Sequence, residues 1–142
     1  MSEPEADING GHEHRRRIYQ RHFTAGEANA MLPTLKPLLE RLREAKSELT
    51  DEELHEALGE SAPANGGGEP GRKVGVAFLE VRRLLLALGE AGVVVKDIDR
   101  GLVDFPALRD GREVFLCWEL GEAEVAHWHE LDTGYPGRRP LD

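Results

Sequence analysis

The apolar residues of this chain change their spacing once, at Gly92, and that change restricts the fold class more than anything else in the sequence. Before Gly92 they recur every three or four positions, the repeat of a helix face. After it, as far as His129, the repeat is two, that of a strand. Helices followed by strands, rather than the two in alternation, point to an α+β architecture. The expected fold is an antiparallel helical hairpin with a kinked first helix, packed with a small antiparallel β-meander of three to four strands.

The helical half begins at Phe23-Thr24. Thr24 and Glu27 form a capping-box pattern, in which hydroxyl and carboxylate satisfy the amides of a helix end. Ala28, Met31, Leu32, Leu35, Leu38, Leu39, Leu42, Ala45 and Leu49 then make one apolar stripe. Pro33 and Pro37 interrupt it, and an interior proline costs about 3 kcal/mol. The expectation is a short helix to Leu32, a break, and a longer helix opened by Pro33. Thr50 and Glu53 repeat the capping box, predicting a short helix from Asp51 to Leu58 capped by Gly59. Residues 59–72 read as a flexible Gly-rich linker, and residues 1–22 as a disordered N-terminal tail ahead of one α+β domain. Arg72 to Gly89 or Ala91 carries the second long stripe, and two such helices joined by a loop pack antiparallel.

In the strand half, Val93-Val94-Val95 is a strand and Lys96 to Gly101 a turn. Leu102 to Phe105 is a short strand ended by Pro106, Asp110-Gly111 a hairpin turn, and Val114 to Leu120 the central strand. Ala123 to His129 is expected as the last strand, joined through a two-residue Gly121-Glu122 loop. That loop would pair Trp118 with Val125, Leu116 with His127 and Val114 with His129. Both histidines would then share a face with Trp118 and oppose Cys117, disfavouring a mixed Cys–His metal site. A single-residue bulge would exchange the faces.

With 142 residues there is room for one core. A net charge of −9 argues against nucleic acid and against an anionic membrane surface, because both need clustered Lys and Arg. A lone cysteine, Cys117, rules out an intrachain disulfide and fits a reducing compartment. No apolar stretch follows a basic start, so no signal peptide is expected and the cytoplasm is the default.

Chemistry-bearing residues gather near the C-terminus. His127-x-His129 sets two imidazoles on one side of a strand, a spacing that suits two ligands of a transition metal if Asp104, Glu122 or Glu130 completes the set. The bland alternative is two sheet histidines with local hydrogen bonds. Asp104, between Val103 and Phe105, must face solvent or find a partner. Arg138-Arg139 offers an anion site, against the simpler readings of a solvated tail or of Arg–carboxylate pairs within this acidic protein. Cys117 reads as a small core residue. There is no P-loop, GxGxxG or nucleophile elbow.

Phe23-Thr24 with Glu27-Ala28-Asn29 and Leu32-Pro33 open a longer pattern. It continues through Val95-Lys96-Asp97, Gly101 to Pro106, Leu116-Cys117-Trp118, Gly121-Glu122, Trp128-His129 and Gly137-Arg138. Together these resemble a bacterial family catalogued as domain of unknown function 2203. The resemblance covers roughly Phe23 to Pro140 and implies that Asp104, Glu122, His129 and Arg138 belong to the family pattern. It carries no activity.

The leading reading is a binding module. Its pocket at the end of the sheet, built from Asp104, Trp118 (or Trp128), Glu122, His127, His129 and Arg138, would hold a small anionic ligand or a metal. Its rivals are an interaction protein, whose helical hairpin pairs with a copy of itself or a partner helix, and an enzyme with His129 as general base beside a carboxylate.

Overall fold

The protein is described from a computed structural model, which covers residues 17–59 and 72–141. The linker at 60–71 and the first sixteen residues of the tail lie outside the described residues. Three helices, α1 (Ala25–Lys46), α2 (Asp51–Leu58) and α3 (Arg72–Glu90), precede five strands: β1 (Val94–Asp97), β2 (Leu102–Arg109), β3 (Arg112–Glu119), β4 (His127–Glu130) and β5 (Arg139–Pro140). The strands form one antiparallel sheet in chain order. α1 packs on α3, and one apolar cluster joins the helices to a single face of the sheet. None of the described helices is long and apolar enough to cross a membrane.

Both expected capping boxes form, with Thr24 and Thr50 accepting from the amides of Glu27 and Glu53. The break at Pro33 does not. α1 runs unbroken for 22 residues with both prolines inside it. Pro33 and Pro37 are four residues apart on the exposed side, so the carbonyls they deprive of a helical donor can turn to water. On the other side Leu32, Leu35, Leu39 and Leu42 are buried, and four such side chains contribute about 6–12 kcal/mol against roughly 6 for two prolines.

Asp110 and Gly111 form the two-residue hairpin turn, both with positive φ (55° and 80°) and with Arg109 opposite Arg112. β2 runs through Pro106 instead of ending there. The Pro106 carbonyl accepts from the Phe23 amide at 2.7 Å, so the proline's donor-less side faces away from β3 and no ladder bond is lost. Gly101 (φ 63°) is closed over by Leu120: a Cβ there would lie 2.4 Å from its Cδ1.

The last strand departs most from expectation. β4 is only His127–Glu130, and residues 120–126 form a connection in place of a two-residue loop. Val125 pairs with a side chain of α1: its amide donates to Asn29 Oδ1 at 2.7 Å, and Asn29 Nδ2 donates back to its carbonyl at 3.5 Å. Pinning Val125 there shifts the register by one residue, to Cys117 opposite His127 and Phe115 opposite His129.

Candidate functional site

The shifted register exchanges the faces of the last hairpin. Val103, Phe105, Val114, Leu116, Trp118 and Trp128 face the helices and join the core. Asp104, Phe115, Cys117, His127 and His129 occupy the other face. Cys117 and the two histidines are therefore on the same side, and the expectation that disfavoured a mixed Cys–His site is overturned. Trp118 is corrected as well. Its ring lies in the core, and it reaches the polar residues only through Nε1, which donates to the Glu122 carbonyl at 3.1 Å.

Asp104 and His129, each 1% exposed, are the two buried polar residues among those described. His129 Nδ1 lies 2.7 Å from the Glu130 carbonyl. A carbonyl only accepts, so Nδ1 carries a proton and donates. Nε2 then faces both Asp104 oxygens, at 3.1 Å each. Either a proton or another cation must lie between Nε2 and the carboxylate, since two lone pairs would repel. Lys96 Nζ adds positive charge 3.8 Å from Asp104 Oδ2 and lies 4.8 Å from the Phe115 ring centre. Burial pushes the Asp104 carboxyl above the usual carboxylate range, against the pull of His129 and Lys96. Both ring nitrogens of His129 are engaged inside the protein.

Cys117 completes this group. Its thiol, one Asp104 oxygen and one His129 nitrogen lie within 4.8 Å of one another, all three residues buried. Burial, aided by the Asp104 carboxylate, pushes the thiol up to about 12 despite the nearby Arg138 guanidinium. From the sequence Cys117 reads as a small core residue, on the face away from the histidines in the expected register.

The remaining candidates form a second group beside Cys117. Arg138 Nη2 donates to Glu122 at 2.8 and 3.1 Å and to His127 Nδ1 at 2.6 Å. Because a guanidinium only donates, His127 Nδ1 accepts and its proton sits on Nε2. Arg138 thus spends its charge on a carboxylate of this chain, one of the simpler sequence expectations. Its Nε is buried and has no partner among the described residues. Glu130 pairs with Arg112, away from the buried trio.

Residues 17–22, which the sequence reading assigned to the tail, lie against the hairpin. The Glu113 carboxylate accepts from the amides of Ile18 (2.9 Å) and Tyr19 (3.0 Å) and meets His22 Nε2 at 2.8 Å. Tyr19 packs edge-on against Phe115, on the Asp104 side of the sheet. Burial raises the Glu113 carboxyl, but the two amides and the His22 ring outweigh it, and the net shift is downward. A lowered carboxyl stabilises the fold above its unfolded pKa, and that stabilisation is lost as pH falls through the lower folded value. Glu113→Gln is expected to speed amide hydrogen exchange at Ile18 and Tyr19 at neutral pH. Acidification below about pH 4 should likewise lower the protection factors of these two amides in the wild type, against the slower intrinsic exchange in acid. Equal exchange in both proteins at neutral pH would show that the carboxylate does not hold this segment.

No curated protein and no solved structure matches the chain. A protein family does match, over residues 21–141, a span that contains both polar groups and every element of the fold. The family is described as an uncharacterized conserved protein, DUF2203, and this chain belongs to it.

Proposed function

We propose that this domain is a metal-binding module, and that Asp104, Cys117 and His129 hold a divalent transition ion, zinc above all. The observation that carries the reading is the setting of His129: Nδ1 donates to a backbone carbonyl, which aims Nε2 at a buried carboxylate where a metal ion can take the place of a proton. A carbonyl acceptor behind a ligating histidine is the usual outer-shell arrangement of a metal site. Oxygen, nitrogen and sulfur together suit zinc, whose tetrahedral bond lengths set neighbouring O and N ligands about 3.3 Å apart. The Nε2–Oδ separations of 3.1 Å are close to that, and the sulfur needs to move in by on the order of 1 Å. Ionising Cys117 would also put negative charge near Arg138, whose Nε lacks an acceptor. The geometry favours a cation over a small anion, because the arginine that an anion would need is already held by Glu122.

Cobalt titration of the full chain tests this. Binding of about one ion per chain is expected, with a thiolate-to-cobalt charge-transfer band. Cys117→Ser should abolish the band and weaken binding by more than the 10–100-fold typical of an outer-shell loss. Lys96→Met removes a cation that competes for Asp104 and should tighten binding. Absence of saturable cobalt or zinc uptake, or a Cys117→Ser variant that binds as the wild type does, would rule the reading out.

A further inference from the structure

We infer that the outer face of α3 is a contact surface between two copies of this chain, packed antiparallel about the middle of the helix. α3 is apolar on two opposite sides. Ala77, Val81, Leu84 and Leu88 are buried against the rest of the fold. On the far side Val76, Leu79 and Leu86 are 63%, 66% and 64% exposed, and no described residue covers them. With Arg83 they follow the 3-4-3 spacing of a helix–helix seam. A surface helix normally keeps a polar outer face, and an apolar stripe there calls for a partner.

The order of residues along the stripe identifies that partner as a second α3. Turned end for end about position 81, Val76 falls over the partner's Leu86, and Leu79 over the aliphatic stem of the partner's Arg83. Glu80 lies in the N-terminal half and Arg83 in the C-terminal half, so the antiparallel arrangement sets Glu80 beside the partner's Arg83, and does so twice. A parallel arrangement would set acid on acid and base on base. Arg83 is free to make the exchange: its side chain is 57% exposed and its intrachain bond is to Glu80 itself, at 2.7 Å. Arg82 is held on the carbonyls of Ala57 and Gly59. Val76 also lines a groove of about 550 Å³ between α1 and α3, with Arg41, Glu44, Ala45 and Glu80, where the partner's Leu86 would arrive.

The seam from Val76 to Leu86 is about 15 Å long. That is short for a stable interface of roughly 800 Å² per partner, so the dimer should form in the micromolar range. It lies on the helix layer, on the other side of the sheet from the Asp104–Cys117–His129 face, and does not depend on the metal reading.

Sedimentation of the full chain from micromolar to millimolar concentration should show a reversible monomer–dimer equilibrium. Leu79→Glu with Leu86→Glu should leave a monomer with unchanged circular dichroism and melting, since both side chains are exposed. Glu80→Arg and Arg83→Glu should each be monomeric alone, and should form a heterodimer with each other when mixed. A monomeric wild type at every concentration would overturn the proposal, and so would dimers indifferent to the leucine changes or charge-reversed variants with no preference for each other.

Discussion

His129→Ala is expected to destabilise the protein by about 3–5 kcal/mol at neutral pH, the usual cost of removing one partner of a buried charge pair. The variant leaves Asp104 buried beside the Cys117 thiol, with Lys96 at 3.8 Å as the nearby cation. The sign of its pH dependence follows from the Asp104 carboxyl. Burial already raises it, so its favourable contribution is complete below its ordinary value of 3.8 and is lost as pH rises through the folded value. Losing His129 raises it further, so the deficit should be small in acid and grow toward neutrality. Urea unfolding of the single variants and of Asp104→Ala/His129→Ala gives the coupling, expected to exceed about 1 kcal/mol. A neutral-pH loss under about 1 kcal/mol, or strict additivity, would mean that no charge is buried in this pair.

Trp118→Ala should cost a similar amount, about 3–5 kcal/mol, for a different reason. The ring is fully buried in the core cluster between sheet and helices, and its removal leaves a cavity. Trp118→Phe keeps most of the apolar contact and loses the bond from Nε1 to the Glu122 carbonyl, worth about 1 kcal/mol. Because the ring faces the helices, cobalt binding at Cys117 should survive the phenylalanine change. A Trp118→Ala protein melting within a few degrees of the wild type would contradict the packing described above.

What was legible in the sequence is what local chemistry decides. The two capping boxes, the limits of α2 and α3 and the Asp110-Gly111 turn depend on residues within four positions of one another, and each forms as read. The break at Pro33 was a sound local argument defeated by burial of the leucines behind it. The register of β4 could not be read from nearby residues, because Asn29, 96 positions away, pins Val125. That one contact moves both histidines to the side of Cys117 and away from Trp118. Asp104, Glu122, His127, His129 and Arg138 are legible as polar residues beside an apolar sheet, and in the fold they form two groups that adjoin at Cys117. Tyr19 and Glu113 were missed, since nothing in their own surroundings signals a bond across 94 residues.

The sheet is bordered by short strands, four residues in β1 and two in β5, the latter ending in a proline that has no amide proton to offer. Each border presents few open backbone groups, and Lys96 adds a charge to the first. Edge-to-edge growth into fibres, the standing hazard of antiparallel sheets, is thereby discouraged. Concentrated solutions of this protein should accordingly resist conversion to cross-β aggregates for as long as the native fold persists.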